Sequence, residues 1–225
     1  GGFIEYIGDI PHRNVTPEAG AFYSEDTLAE FFDANIRRNC EMMDAPWAKL
    51  FRRKAIGNIR FNENLSYAED KLFVFEFLSS CRSIYTCPKV VYNYYLRPGS
   101  LGSDISSDRH LAQLQVFFPL YAQVLNKIVH RVPESRKANL LYHNDLIGRY
   151  VCRALNVLAT RKSEFCNAEF IGQLYELMRS DNSLGMFSLR AGQTMNMMLY
   201  KIGKPSFAAG IYSFTASLTS CFKRK

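Results

Sequence analysis

Glu69 and Asp70 are adjacent carboxylates at the head of an apolar run, Leu72 to Phe77, and different work is open to each of them. Ser66-Tyr67-Ala68-Glu69 matches a capping box, in which the Ser66 hydroxyl accepts from the backbone at Glu69 and the Glu69 carboxylate reaches back to the Ser66 amide. That occupies Glu69. Asp70 is left without a structural task in the first turn of the same predicted helix, where its carboxylate can face an open cleft and take a proton. The helix dipole favours the ionised form there, so Asp70 is a weak base unless burial raises its pKa. Trp47, Lys49 and Arg97 flank the pair in sequence and are the other candidates for contact with a substrate. The triplet Arg52-Arg53-Lys54 reads either as a solvated edge or as a contact for phosphate or acceptor.

These residues need elements to position them. From Pro46 the pattern has period two, with Trp47, Lys49 and Phe51 on one side and Ala48, Leu50 and Arg52 on the other, which predicts a half-buried strand over 47–52. Leu72, Phe73, Glu76 and Phe77 place a helix over 69–80. Residues 83–87 and 90–96 are rich in β-branched and aromatic side chains around Pro88 and predict two further strands. Upstream, 3–7 is a short extended piece, and Pro11, Asn14, Pro17 and Gly20 make 8–20 a loop. A helix is expected over 24–39, opened by Ser24 with Glu25 and Asp26, buried through Leu28, Phe31, Phe32 and Ile36, and closed by Arg37, Arg38 and Asn39.

After about Asp108 the signal is helical. Leu111, Leu114, Phe117, Phe118, Tyr121, Val124, Leu125 and Ile128 form one stripe, with a kink or break expected at Pro119. Further helices are predicted over 135–160, from near Asn167, and from Ser188, where Met195, Met197 and Met198 read as core filler. From Pro205 an uncharged run repeats Phe207, Ile211, Phe214, Leu218 and Phe222 at helical spacing, followed by Lys223-Arg224-Lys225. That tail reads as a helix packed on the bundle, or as an interfacial helix at an anionic membrane; its many hydroxyl side chains weigh against a span.

The fold expected is α+β: a small mixed sheet with helices over 1–104, a helical region over 105–202 and an amphipathic tail over 203–225. The chain has 225 residues, 48% hydrophobic and 22% charged, which is globular composition with enough length for one or two cores. A net charge of +7 favours an anionic partner. Nucleic acid is not expected, because the Lys and Arg residues are spread along the chain without a helix-turn-helix, zinc-finger or RNP-type pattern. The six cysteines show no CxxC pair and read as reduced thiols in a cytoplasmic protein. The opening Gly-Gly-Phe-Ile-Glu-Tyr has neither an initiator methionine nor a signal peptide, and is expected to lie inside a longer protein.

In order and spacing, one set of pieces resembles the second half of the catalytic domain of family 2 glycosyltransferases of the GT-A fold, which build bacterial surface polysaccharides. The pieces are Trp47-x-Lys49-Leu50-Phe51-Arg52-Arg53, then Ile59-x-Phe61-x-Glu63-x-Leu65, Glu69-Asp70 with Phe73, and Tyr92-x-Tyr94 with Arg97 and Ser100. The resemblance implies transfer, with inversion, of a sugar from a nucleotide-diphosphate donor to a glycan or lipid-linked acceptor. Asp70 is the matching base, Trp47 and Lys49 line the acceptor side, Glu69 is the neighbour of the base, and Arg97 contacts acceptor or diphosphate. It also implies a divalent metal, Mg or Mn, in the complete enzyme. The nucleotide-binding half and its Asp-x-Asp are absent from this sequence, and neither Asp104 with Asp108 nor Glu25 with Asp26 substitutes for it. The chain alone is therefore expected to bind no metal and to be inactive. The competing expectation is a non-catalytic helical binding module with a basic surface.

Overall fold

The computed structural model describes residues 1–17, 19–36, 41–97, 108–160, 162–179 and 204–222. Expectations placed on Arg37, Arg38, Asn39, Ser100, Asp104, the helix from Ser188 with its methionines, and Lys223-Arg224-Lys225 lie outside the described residues. The architecture is mixed α+β, with two small sheets and with helices both between their strands and after them. The chain divides into two compact units: Gly1–Ile105 with Val116–Tyr142, and Ser106–Gln115 with His143–Lys225. The expected boundary at 104/105 thus falls near one edge of the first unit, which also takes in a later helical stretch.

In the first unit, β1 (Gly2–Ile7) is the middle of a three-stranded sheet, antiparallel to β2 (Ile10–Val15) and parallel to β5 (Val90–Leu96). β2 was expected to be loop. Its polar run Pro11-His12-Arg13-Asn14 shows no alternation because it lies at a sheet edge, where Pro11 needs no ladder partner. A second sheet pairs β3 (Ala21–Tyr23) with β4 (Ile84–Thr86), Phe22 lying opposite Tyr85. Helix α1 (Leu28–Asn35) starts four residues later than predicted, because Ser24 donates its N–H to Thr27 Oγ1 (3.0 Å) in a turn ahead of the helix. Leu28, Phe31 and Phe32 are buried as read.

The strand predicted over 47–52 is not formed. Ala48 takes a left-handed conformation (φ 59°), which interrupts any extended run, and after Phe51 the chain enters a one-turn helix, α2 (Arg53–Ile56). The period-two pattern came instead from a loop in which alternate side chains, Trp47, Lys49 and Phe51, are anchored. Helix α3 (Glu69–Leu78) buries Leu72, Phe73, Val74, Phe75 and Leu78. Phe75 meets Tyr121 of α4 (Asp108–Arg131) edge-on at 5.2 Å. α4 runs unbroken through Pro119. Asp33 caps α5 (Arg136–Leu141), its carboxylate accepting from Ser135 Oγ and from the Lys137 N–H, both at 2.9 Å.

The helical stretch predicted over 135–160 is α5, a π-helical segment (Tyr142–Val151) and α6 (Cys152–Thr160). In the second unit α7 (Ala168–Arg179) opens where expected, Asn167 Oδ1 accepting the Phe170 N–H at 2.9 Å. The tail forms α8 (Pro205–Phe222), which packs on α6 and α7. Over 205–213, the part of the helix whose side chains are described, the buried residues are Ala208 and Tyr212, one position on from the predicted Phe207 and Ile211; Phe207 is half exposed, and the predicted Phe214, Leu218 and Phe222 lie outside the described side chains. Among the described residues no helix is long and apolar enough to cross a membrane.

Candidate functional site

Four charged side chains of the first unit, Asp44, Lys49, Asp70 and Lys71, belong to one electrostatic cluster beside Trp47. The loop that carries Lys49 is fixed first by Trp47. Its indole stacks on Tyr92 (4.8 Å) and Tyr94 (5.3 Å) of β5 and meets Phe3 of β1 edge-on at 4.6 Å. Tyr92 and Tyr94 share a sheet face because alternate residues of a strand do, and the parallel register sets Phe3 opposite Tyr92. Lys49 then folds back, its ammonium donating to the carbonyls of Ala45 and Trp47 (3.3 Å to the latter). Burial pulls its pKa down from 10.5 to about 8, with the negative charges of Asp44 and Asp70 opposing that fall.

Asp70 is half-buried in the first turn of α3. The predicted capping box is not made. Ala68, in a left-handed conformation (φ 59°), stands at the cap position and offers no side-chain oxygen, so Ser66 lies two residues too early and Glu69 is the first helical residue. The carboxylate that serves the first turn is that of Asp70, whose Oδ1 accepts the Lys71 N–H at 2.7 Å. Asp70 therefore has a structural task that the sequence did not reveal. Its pKa is nevertheless raised: burial is the largest cause, and the charges of Glu69 and Asp44 add to it, against the pull of the Lys71 N–H. Among the described residues no cation lies within ion-pair distance of Asp70.

Lys71 turns inward. Only 2% of its side chain is exposed, and its ammonium pairs with Asp44 at 2.9 Å and lies 5.3 Å from the ring centroids of both Phe75 and Tyr121. Asp44 and Lys71 were not singled out in the sequence. A lysine just ahead of the apolar run Leu72-Phe73-Val74-Phe75 was the available signal, since a helix buried on most sides leaves a lysine no water and obliges it to find an anion.

Asp70, Glu69, Lys49 and Trp47 are thus brought together, and Arg97 is not. It follows β5, three residues past Tyr94, the nearer to it of the two tyrosines that Trp47 stacks on, or roughly 10 Å along an extended strand. There it lines a shallow depression with Gly8, Asp9, Tyr95 and Leu96. Among the described residues no group of three or more His, Cys, Asp or Glu is placed to hold a metal ion. The cluster can accept a proton at Asp70, present a cation that is itself easily deprotonated at Lys49, and offer an indole edge for stacking. No family model, curated protein or solved structure matches the chain.

Proposed function

We propose that the first unit is the acceptor side of an inverting sugar transferase of the GT-A kind, with Asp70 as general base. The observation that carries the reading is the Asp70 carboxyl: half-buried, outside any ion pair, with its proton affinity raised mainly by burial. A base in that state matches a hydroxyl acceptor better than an ordinary surface aspartate does. Asp70 takes the proton of the acceptor hydroxyl as that oxygen bonds to the anomeric carbon, and the nucleoside diphosphate leaves from the opposite face with the electron pair of the broken bond. Lys49 steadies the carboxylate and contacts acceptor oxygens; Trp47, held on β5, supplies an apolar wall for a sugar ring. The acceptor is a glycan or a lipid-linked sugar. The proposal assigns donor binding, and the Mg or Mn that would neutralise the diphosphate, to residues outside these 225. Of the two segments expected as strands around the site, 90–96 is β5 and 47–52 is an irregular loop.

The test is Asp70→Asn in the protein translated together with its upstream coding sequence, assayed against a panel of nucleotide sugars. Loss of about 10²–10⁴ in kcat with donor affinity unchanged is expected, since the change removes a proton acceptor and little binding surface. In the parent enzyme the acid limb of kcat should lie above the ordinary aspartate value of 3.8, because Asp70 must be ionised to act and burial raises its pKa. Near-normal turnover of the variant removes Asp70 from the mechanism. Absence of any transfer by the parent protein favours the second reading, a non-catalytic binding module, for which the unpaired cations over 52–60 speak.

A further inference from the structure

The loop between Leu50 and Arg60 combines two features that the site above does not use. Leu50 is fully exposed, at 103% of its reference area, although both of its neighbours are held. Lys49 is tied back to Ala45 and Trp47, and Phe51 is wedged edge-on against Phe73 (5.6 Å) and Phe77 (5.0 Å) of α3. A scattered exposed leucine needs no explanation. This one projects between two anchored neighbours, from a turn that contains a left-handed alanine, Ala48 at φ 59°.

The second feature is charge. From Ala45 to Asn62 there is no Asp or Glu, and Arg52, Arg53, Lys54 and Arg60 are all exposed. None of these four forms an ion pair with a carboxylate among the described residues. Helix α2 buries no residue, so its single turn exists only to hold Arg53 and Lys54 outward. Gly57, at φ 54° with open space around it, reverses the chain, and Arg60 is fixed by donating to the carbonyls of Gly57 (2.9 Å) and Ile59 (2.8 Å). Phe61 is stacked on Phe73 at 4.4 Å and returns the loop to the body of the unit. The result is a projection with an exposed aliphatic residue and four exposed cations within eleven residues of chain.

We propose that this projection docks on an anionic lipid bilayer, with Leu50 entering the headgroup boundary and Arg52, Arg53, Lys54 and Arg60 meeting lipid phosphates. An aliphatic tip gains from hydrocarbon, and each cation near a negative leaflet gains about fivefold in partitioning. A nucleic acid would reward the cations but not the leucine, and the aromatic ring nearest the surface, Phe61, is already committed to Phe73. The loop is preformed, so little ordering cost opposes binding. The inference moves membrane contact from the tail to this loop, and it holds whether the first unit is a transferase or a binding module.

Co-sedimentation of the chain with vesicles tests it, comparing pure phosphatidylcholine with an equimolar mixture of phosphatidylcholine and phosphatidylglycerol. Pelleting with the mixture alone, weakened by added salt, is expected. Arg52→Gln with Arg53→Gln should lower partitioning about 30-fold. Leu50→Ser should lower it about tenfold, while Phe207→Ser on the tail leaves it unchanged. All of these side chains are exposed, so circular dichroism should be the same for every variant. Equal pelleting with both vesicles, no pelleting, insensitivity to the Leu50 and Arg52/Arg53 variants, or loss on Phe207→Ser would each overturn the proposal.

Discussion

An ammonium group taken out of water must be compensated, and Lys71 shows what that compensation rests on. Its Asp44 partner keeps about a quarter of its side chain in solvent, whereas Lys71 keeps almost none. Removing the aspartate therefore strands a buried cation, while removing the cation leaves a carboxylate that water can still reach. Asp44→Ala is expected to cost about 2–3 kcal/mol, and Lys71→Met, which fills the same space between Phe75 and Tyr121, less than about 1 kcal/mol. Urea unfolding followed by the fluorescence of Trp47, the single tryptophan, measures both. Equal losses would show that the ion pair itself is net stabilising. Lys49 poses the same problem with a titratable outcome. A base whose folded pKa is about 8 against 10.5 binds fewer protons when folded, so its contribution makes stability rise as pH climbs from about 8 towards 10.5. Other groups titrate in that range. The difference in urea midpoint between the parent and Lys49→Met isolates this one, and it should shrink across the window; a constant difference would mean that Lys49 is not desolvated.

At the level of elements, α3 is the piece most legible in the sequence and also the one whose start was misread. Its buried residues follow from spacing alone, but the capping box required Ser66 to stand immediately before the helix, and Ala68 takes that position in a left-handed conformation. A non-glycine residue there costs about 1 kcal/mol or more, so Ala68→Gly should raise stability by about 0.5–1 kcal/mol after allowing for the freer unfolded chain. Ala154→Gly, inside α6, should lower it by about 1 kcal/mol or more. Thermal unfolding of both variants gives opposite signs if the conformation of Ala68 is as described, and the same sign if it is not. The other misreadings have physical causes of the same local kind. β2 lies at a sheet edge and carries no alternation to detect, whereas 47–52 alternates because anchored loop residues mimic a strand. Asp70, Glu69, Trp47 and Lys49 could be chosen from residue type and order. The Asp44–Lys71 pair could not, because 27 residues separate its members and only the folded chain brings them together.

For the molecule as a whole, the tail decides between two pictures that the sequence left open, a helix on the bundle and a helix at an interface. α8 lies on α6 and α7, and the face it buries is set by Ala208 and Tyr212, both without solvent exposure. Gly172 of α7 faces Pro205, and a Cβ there would stand 3.8 Å from the ring, in ordinary van der Waals contact, so the opening of the tail lies against its neighbour. The phenols of Tyr212 and Tyr175 are both buried, and burial pushes the Tyr175 pKa up to about 12 and that of Tyr212 up as well. Two phenols kept protonated by burial act as packing groups. Tyr212→Ala should therefore cost about 3–4 kcal/mol, mostly as cavity and lost burial. Tyr212→Phe keeps the ring and its packing and should cost about 1 kcal/mol or less. Urea unfolding followed by far-ultraviolet circular dichroism, which reads the helices, distinguishes them. If Tyr212→Ala leaves the transition where it was, α8 is not part of the second unit's core, and an interfacial role for the tail returns; a loss for Tyr212→Ala several times that for Tyr212→Phe fixes the tail as core.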